Sequence, residues 1–143
     1  MRLTAIHANR HLFEGQPSGT PIRLLLRFAD SRSLRIGVAG DRFRAMVDRL
    51  PLDRPFDVAE YGQVDVADVT DMIAAHLRGA GVTLLHALTR DGHDVGVRLG
   101  FDANMTLNIW VDGDELHWGD AEAFAAHDWL GAELPVAGSP IGL

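Results

Sequence analysis

The residues best suited to chemistry crowd into one short stretch, Trp110-Val111-Asp112-Gly113-Asp114-Glu115-Leu116-His117-Trp118-Gly119-Asp120-Ala121-Glu122. Two indoles, one imidazole and five carboxylates surround a turn there. Trp110, Asp112, Asp114, Glu115, His117, Trp118 and Asp120 are therefore the candidate contact residues. Aromatic anchors ringed by acids suit a basic protein partner, because interface centres favour tryptophan while charged rims steer encounter. A second use is general acid–base work on a small ligand, with His117, Glu115 and nearby carboxylates in a cleft between sheet and helix. A third reading is structural: Trp110 lies opposite Leu107 and Ile109 in a strand pattern and can seed a second core beneath a helix.

Elsewhere the chemistry-bearing side chains lack the spacing their chemistry needs. His7 and His11 are four apart, but without helical periodicity or the intervening glutamate of a zincin they read as loop or exposed histidines. His76 borders an apolar helix face and reads as a hydrogen-bonded core-boundary residue. His86 falls on a strand, His93 in a turn, and His127 near a helix end where positive charge complements the dipole. Ser18, Ser31, Ser33 and Ser139 sit in turns or the tail, none in a Gly-x-Ser-x-Gly elbow. The absence of cysteine excludes disulfides, thiolate metal sites and cysteine nucleophiles. All thirteen basic residues are arginine, so lysine Schiff bases and a Walker-type phosphate lysine are excluded too. Gly79-Ala80-Gly81 runs from helix to strand, the reverse of a dinucleotide fingerprint, and Asp112-Gly113-Asp114-Glu115 lacks EF-hand spacing. Paired carboxylates for glycoside chemistry stay open, since only their separation in space is diagnostic. No catalytic residue, metal or cofactor is assigned.

The elements that must position the 110–122 stretch follow from periodicity. Ile22, Leu24, Leu26 and Phe28, then Leu34, Ile36 and Val38, alternate with polar residues around Ala29-Asp30-Ser31-Arg32, which predicts an antiparallel hairpin. Residues 42–50 fit helix and strand alike and are read as a third meander strand. Val69, Met72, Ile73, His76 and Leu77 share a helical face within a main helix over about 66–78, capped by Asp65 or Asp68 and ended by Gly79. Val82, Leu84, His86 and Leu88 lead to Asp91-Gly92; Val95, Val97, Leu99 and Phe101 lead to 102–104; Met105, Leu107, Ile109 and Val111 lead to Asp112-Gly113. Aspartate before glycine suits tight turns, so this is a second meander of about four strands, with Gly96 and Gly100 permitting close approach. A shorter helix follows over about 120–130, capped by Asp120. The class is α+β, a twisted, mostly antiparallel sheet from two meanders covered by two helices, in one domain over 1–130 with an irregular tail over 131–143.

Charge and composition set the functional classes. Residues 1–54 carry ten arginines against five acids, a net of +5, and residues 55–143 three arginines against fifteen acids, a net of −12. The total of −7 disfavours non-specific nucleic-acid binding, and the arginines at 23, 27, 35, 42 and 44 lack interleaved aromatics. No run of about 18 apolar residues suggests a membrane span, and no apolar signal core follows Met1, so a cytoplasmic, bacterial protein is expected. By class alone, a small, acidic, motif-poor α+β chain is similar to inhibitors and immunity proteins that act by binding. The expected function is therefore a non-catalytic protein-binding module, with a small-molecule binder or enzyme using His117 as the alternative and a homo-oligomeric structural protein as a third.

Overall fold

Period-two patterning makes strands of most of the chain, and a computed structural model describes them over residues 1–40, 44–131 and 133–143. The first seven strands are β1 (Leu3–Phe13), β2 (Gln16–Pro17), β3 (Arg23–Phe28), β4 (Ser33–Val38), β5 (Ala45–Asp48), β6 (Phe56–Asp57) and β7 (Gln63–Asp68). They form one sheet in the order β5-β4-β3-β1-β7-β6, with β2 folded back on β1. A short helix, α1 (Thr70–Ala74), continues as a 3-10 turn over Ala75–Leu77. The second sheet contains β8 (Val82–Arg90), β9 (His93–Phe101), β10 (Thr106–Asp112) and β11 (Glu115–Gly119), then α2 (Ala121–Ala126) and β12 (Val136–Pro140). Its order is β11-β10-β9-β8-β12. The fold is α+β with antiparallel pairing throughout both sheets.

The two meanders form separate sheets that share one apolar core. Ile6, Leu24, Leu26, Leu34 and Ile36 of the first sheet meet Val97, Leu99, Leu107, Ile109 and Leu116 of the second, with Val69, Ile73 and Leu77 of the α1 region at their margin. The sheets are joined where Leu3 donates to the Ala80 carbonyl (3.0 Å) and Val82 to that of Met1 (2.7 Å). Tight turns end the hairpins as their composition requires: Asp91 and Gly92 both take positive φ (53° and 74°), and Gly113 does so after β10 (67°). Among the described residues no helix is long and apolar enough to cross a membrane.

Several boundaries differ from the sequence pattern, each for a local reason. The helix expected over 66–78 begins only at Thr70, because residues 63–68 pair along β1, from Leu12↔Gln63 to His7↔Asp68. Asp68 still stops the strand and receives the Thr70 N–H (2.9 Å), whereas Asp65 pairs with Arg10 instead. Met72 and His76 are exposed, so the buried face is narrower than the sequence suggests and His76 is not a core-boundary residue. The helix expected over 120–130 stops at Ala126. The tail over 131–143 is not irregular throughout: 136–140 is β12, paired with β8. His7 and His11 lie on β1, a central strand, not in a loop. The third meander strand is β5; its expected start at residues 42 and 43, with Arg42 itself, lies outside the described residues. Finally, the register shift in β8 at Val82/Leu84 puts Leu85, not Leu84, in the core.

Candidate functional site

The second sheet has an outer face as well as a core face, and the chemistry lies on the outer one. Leu107, Ile109 and Val111 of β10 point into the core, so Asn108, Trp110 and Asp112 point away from it. Gly96 pairs with Trp110, and its missing side chain lets the Ile109–Trp110 backbone lie where a Cβ would be, 2.1 Å from the Ile109 carbonyl oxygen. On the far side of the hairpin, Trp110 is paired with His117. Gly119 then allows α2 to descend onto the sheet, since a Cβ there would lie 2.5 Å from that of Ala123. Asp120 caps this helix by accepting the Ala123 N–H (2.8 Å).

Trp110 is the centre of an aromatic cluster and only 2% exposed. Phe124 meets it edge-on at 5.3 Å, His127 does so at 5.3 Å, Trp129 lies tilted at 5.8 Å and His117 stacks at 5.8 Å. Arg98, bonded to Asn108 Oδ1 (2.7 Å), covers the Phe124 ring, and Arg90 covers Trp129. The indole Nε1–H of Trp110 is buried and has no hydrogen-bond acceptor among the described residues.

Beside this cluster a buried carboxylate holds an imidazole in place. Asp112, 4% exposed at the end of β10, accepts from His127 Nε2–H (2.8 Å) and from the Leu130 N–H (3.0 Å) at the same oxygen. Its other oxygen lies 3.7 Å from the Arg90 guanidinium. An ionised carboxylate can only accept, so this bond fixes the proton of His127 on Nε2 and leaves Nδ1 for other work. The His117 ring centroid lies 4.6 Å from that of His127. Burial first, and repulsion from His127 second, lower the His117 pKa below its ordinary 6.5. A neutral imidazole thus stands next to a carboxylate-anchored one.

Both rings line an open cleft of about 300 Å³ at the edge strand β11, with Trp110, Trp118, Leu116, Ala123 and Thr20 of the β2–β3 connection completing its walls. The arrangement offers flat apolar walls, one buried N–H donor and two imidazoles able to exchange a proton with a bound group. Among the described residues no group of three or more metal-ligating side chains gathers.

The candidate residues therefore separate by role. Trp110, Asp112 and His117 converge, with Trp110 and Asp112 in the interior and not on a contact surface. Trp118 faces the opposite side, packed against the main core, and reaches the cleft around the strand edge. Asp114 and Glu115 are exposed at the hairpin tip, and Asp120 is occupied with its helix. Sequence spacing misses His127, Phe124, Trp129 and Arg90. Their partners lie on other elements, and no local pattern links Asp112 to a histidine fifteen residues later.

No known protein family matches the chain, and no solved structure matches it. A chorismate synthase of Gluconacetobacter diazotrophicus is 33% identical over 89 residues, which cover 57% of this chain and 25% of that one. The chain thus spans about a quarter of the length of the curated relative it matches.

Proposed function

We propose that the chain binds a small planar organic molecule in the cleft beside β11, and that His117 and the Asp112–His127 pair give this site acid–base capacity. The observation that carries the reading is the His127–Asp112 bond of 2.8 Å, deep beneath a cleft that also exposes His117. A carboxylate that orients one imidazole is a recurrent device for holding a proton acceptor in a fixed tautomer. The unsatisfied Trp110 N–H supports it, because a ligand oxygen reaching that atom recovers a hydrogen bond the fold leaves unmade. Partial likeness to a synthase lends the same reading some weight, over the quarter of that chain concerned. Aromatic walls favour a ring, and a neutral base favours an ionisable O–H, so hydroxyaromatic compounds are the class to try.

All three tryptophans of the sequence, at 110, 118 and 129, lie in or against this site, so intrinsic fluorescence reports on it alone. Titration with a panel of hydroxyaromatic compounds is expected to give saturable quenching that weakens about tenfold in His117→Phe, the loss of one hydrogen bond in an apolar site. Quenching that is absent across the panel, or equal in His117→Phe, removes the reading.

A second reading keeps a basic protein partner, as an immunity-like binder would have, and rests on the exposed acids Asp114, Glu115 and Glu122 around the hairpin and α2. It loses Trp110 as an anchor. Salt-sensitive capture of a partner, abolished by Asp114→Arg with Glu115→Arg, distinguishes it from the first.

A further inference from the structure

The outer face of the first sheet carries a second, separate cavity. Ile6, Ala8, Leu24 and Leu26 point into the core, so His7 and its cross-strand partner Leu25, with Arg27, point outward. The segment 49–55 is strapped across this face. Arg35 donates to the Pro51 carbonyl (3.1 Å), and Asn9 both donates to the Asp53 carbonyl (2.9 Å) and accepts the Asp53 N–H (3.0 Å). The Asp53 carboxylate is taken by Arg23. Between strap and sheet lies a space of about 320 Å³, with Leu25 and Val66 as floor, Leu52 and two prolines as roof, and Arg27 and Arg54 in its walls. A neighbouring hollow of about 520 Å³ shares Leu25, Arg27 and Pro51, so Arg27 stands where the two meet.

The arginines themselves identify the occupant. Every other described arginine has a carboxylate, a carbonyl or another side chain as its partner. The guanidiniums of Arg27 and Arg54 have no hydrogen bond or ion pair among the described residues, and both side chains line this one cavity. In the same wall His7 Nδ1 is buried without a hydrogen-bond partner. Two unneutralised guanidiniums flanking an apolar floor match a carboxylate on an apolar body, because the planar fork pairs with carboxylate geometry while the floor excludes water.

We propose that this groove binds an amphipathic carboxylate, its head between Arg27 and Arg54 and its apolar body on Leu25 and Val66. Octanoate titrated calorimetrically into the full chain is expected to bind once per chain, with acetate and octanol each about tenfold weaker or worse, since each lacks half of the contact. Arg27→Gln and Arg54→Gln, both at exposed positions that leave the core intact, are each expected to weaken octanoate about tenfold through loss of a charge-assisted bond. Tryptophan fluorescence is expected to stay unchanged and His117→Phe to bind octanoate normally, so this site and the cleft beside β11 stand or fall separately. The proposal is overturned by an absence of saturable heat, by equal affinity in the Arg27→Gln/Arg54→Gln double variant, by acetate or octanol matching octanoate, or by quenching that tracks octanoate.

Discussion

At the scale of single residues, the cleft beside β11 depends on which imidazole stays neutral. His117 is held below its ordinary 6.5 chiefly by burial, and next by His127. The unfolded chain takes up the proton near 6.5, whereas the folded chain resists until a lower pH. In that interval the unfolded state binds more protons, so stability falls as pH falls from about 6.5 toward the folded value, and is flat again below it. Histidine ring-proton shifts followed by NMR should show one residue, assigned to His117 by its loss in His117→Phe, titrating below 6.5. Urea midpoints at pH 7.5 and 5.5 should fall less in that variant than in the parent. A His117 that titrates at or above 6.5 removes the neutral base from the site. The importance of His117 is readable in the sequence, because it shares a short stretch with Trp110 and Asp112. That of His127 is not. Its position near a helix end offers a sufficient local explanation, and only the folding of 127–130 back over β10 brings it to Asp112.

At the scale of elements, the strands of highest alternation are legible and the ones made by pairing are not. β3, β4, β9 and β10 follow from apolar side chains at every second residue, and their turns from Asp-Gly or turn-rich composition. β7 and β12 carry weaker patterns and are strands because β1 and β8 offer them unpaired backbone, a long-range effect no short window contains. β8 misleads for another reason: the irregularity between Val82 and Leu84 turns a continuous alternation over, so Leu84 is 43% exposed while Leu85 is buried. Gly96 shows how a backbone detail sets the site. Its added Cβ would lie 2.1 Å from the Ile109 carbonyl oxygen and 2.8 Å from Trp110 Cα, main-chain atoms that cannot rotate aside. Gly96→Ala should therefore cost about 2–3 kcal/mol in denaturant unfolding and shift the tryptophan emission, because relief requires moving the strand that holds Trp110. Gly81→Ala is the control. Its Cβ meets only Asp102 at 3.5 Å, ordinary contact, and a change within about 0.5 kcal/mol is expected. Equal effects of the two substitutions would mean that the close approach at Gly96 does not constrain Trp110.

At the scale of the whole molecule, the last strand ties the two sheets together. β12 extends the second sheet, pairing Val136 with Thr89 and Ala137 with Leu88, and the Ile141 N–H then continues the ladder to the Leu85 carbonyl (2.9 Å). Ile141 and Leu143 pack on the shared core, while Arg49, just after β5, binds the Gly142 carbonyl and Arg32, in the β3–β4 turn, that of Leu143. The proline and glycine content of this segment signals a tail, yet Ile141 and Leu143 pack on the core, while the exposed Val136 serves through its backbone pairing with Thr89. Removing residues 136–143 should forfeit the partial burial of Ile141 and Leu143 on the core, a loss of about 2 kcal/mol at half the usual burial value for each. It should also leave the β8 edge unpaired, inviting chain-to-chain strand addition. The truncated chain is thus expected to show a lower urea midpoint and concentration-dependent association by light scattering. Arg49→Ala alone should lower the midpoint slightly without association, because the edge stays covered. If the truncated chain remains monomeric and as stable as the parent, β12 is an appendage to β8, and the joining of the sheets must rest on the Leu3–Ala80 and Met1–Val82 bonds at the opposite end of the strand.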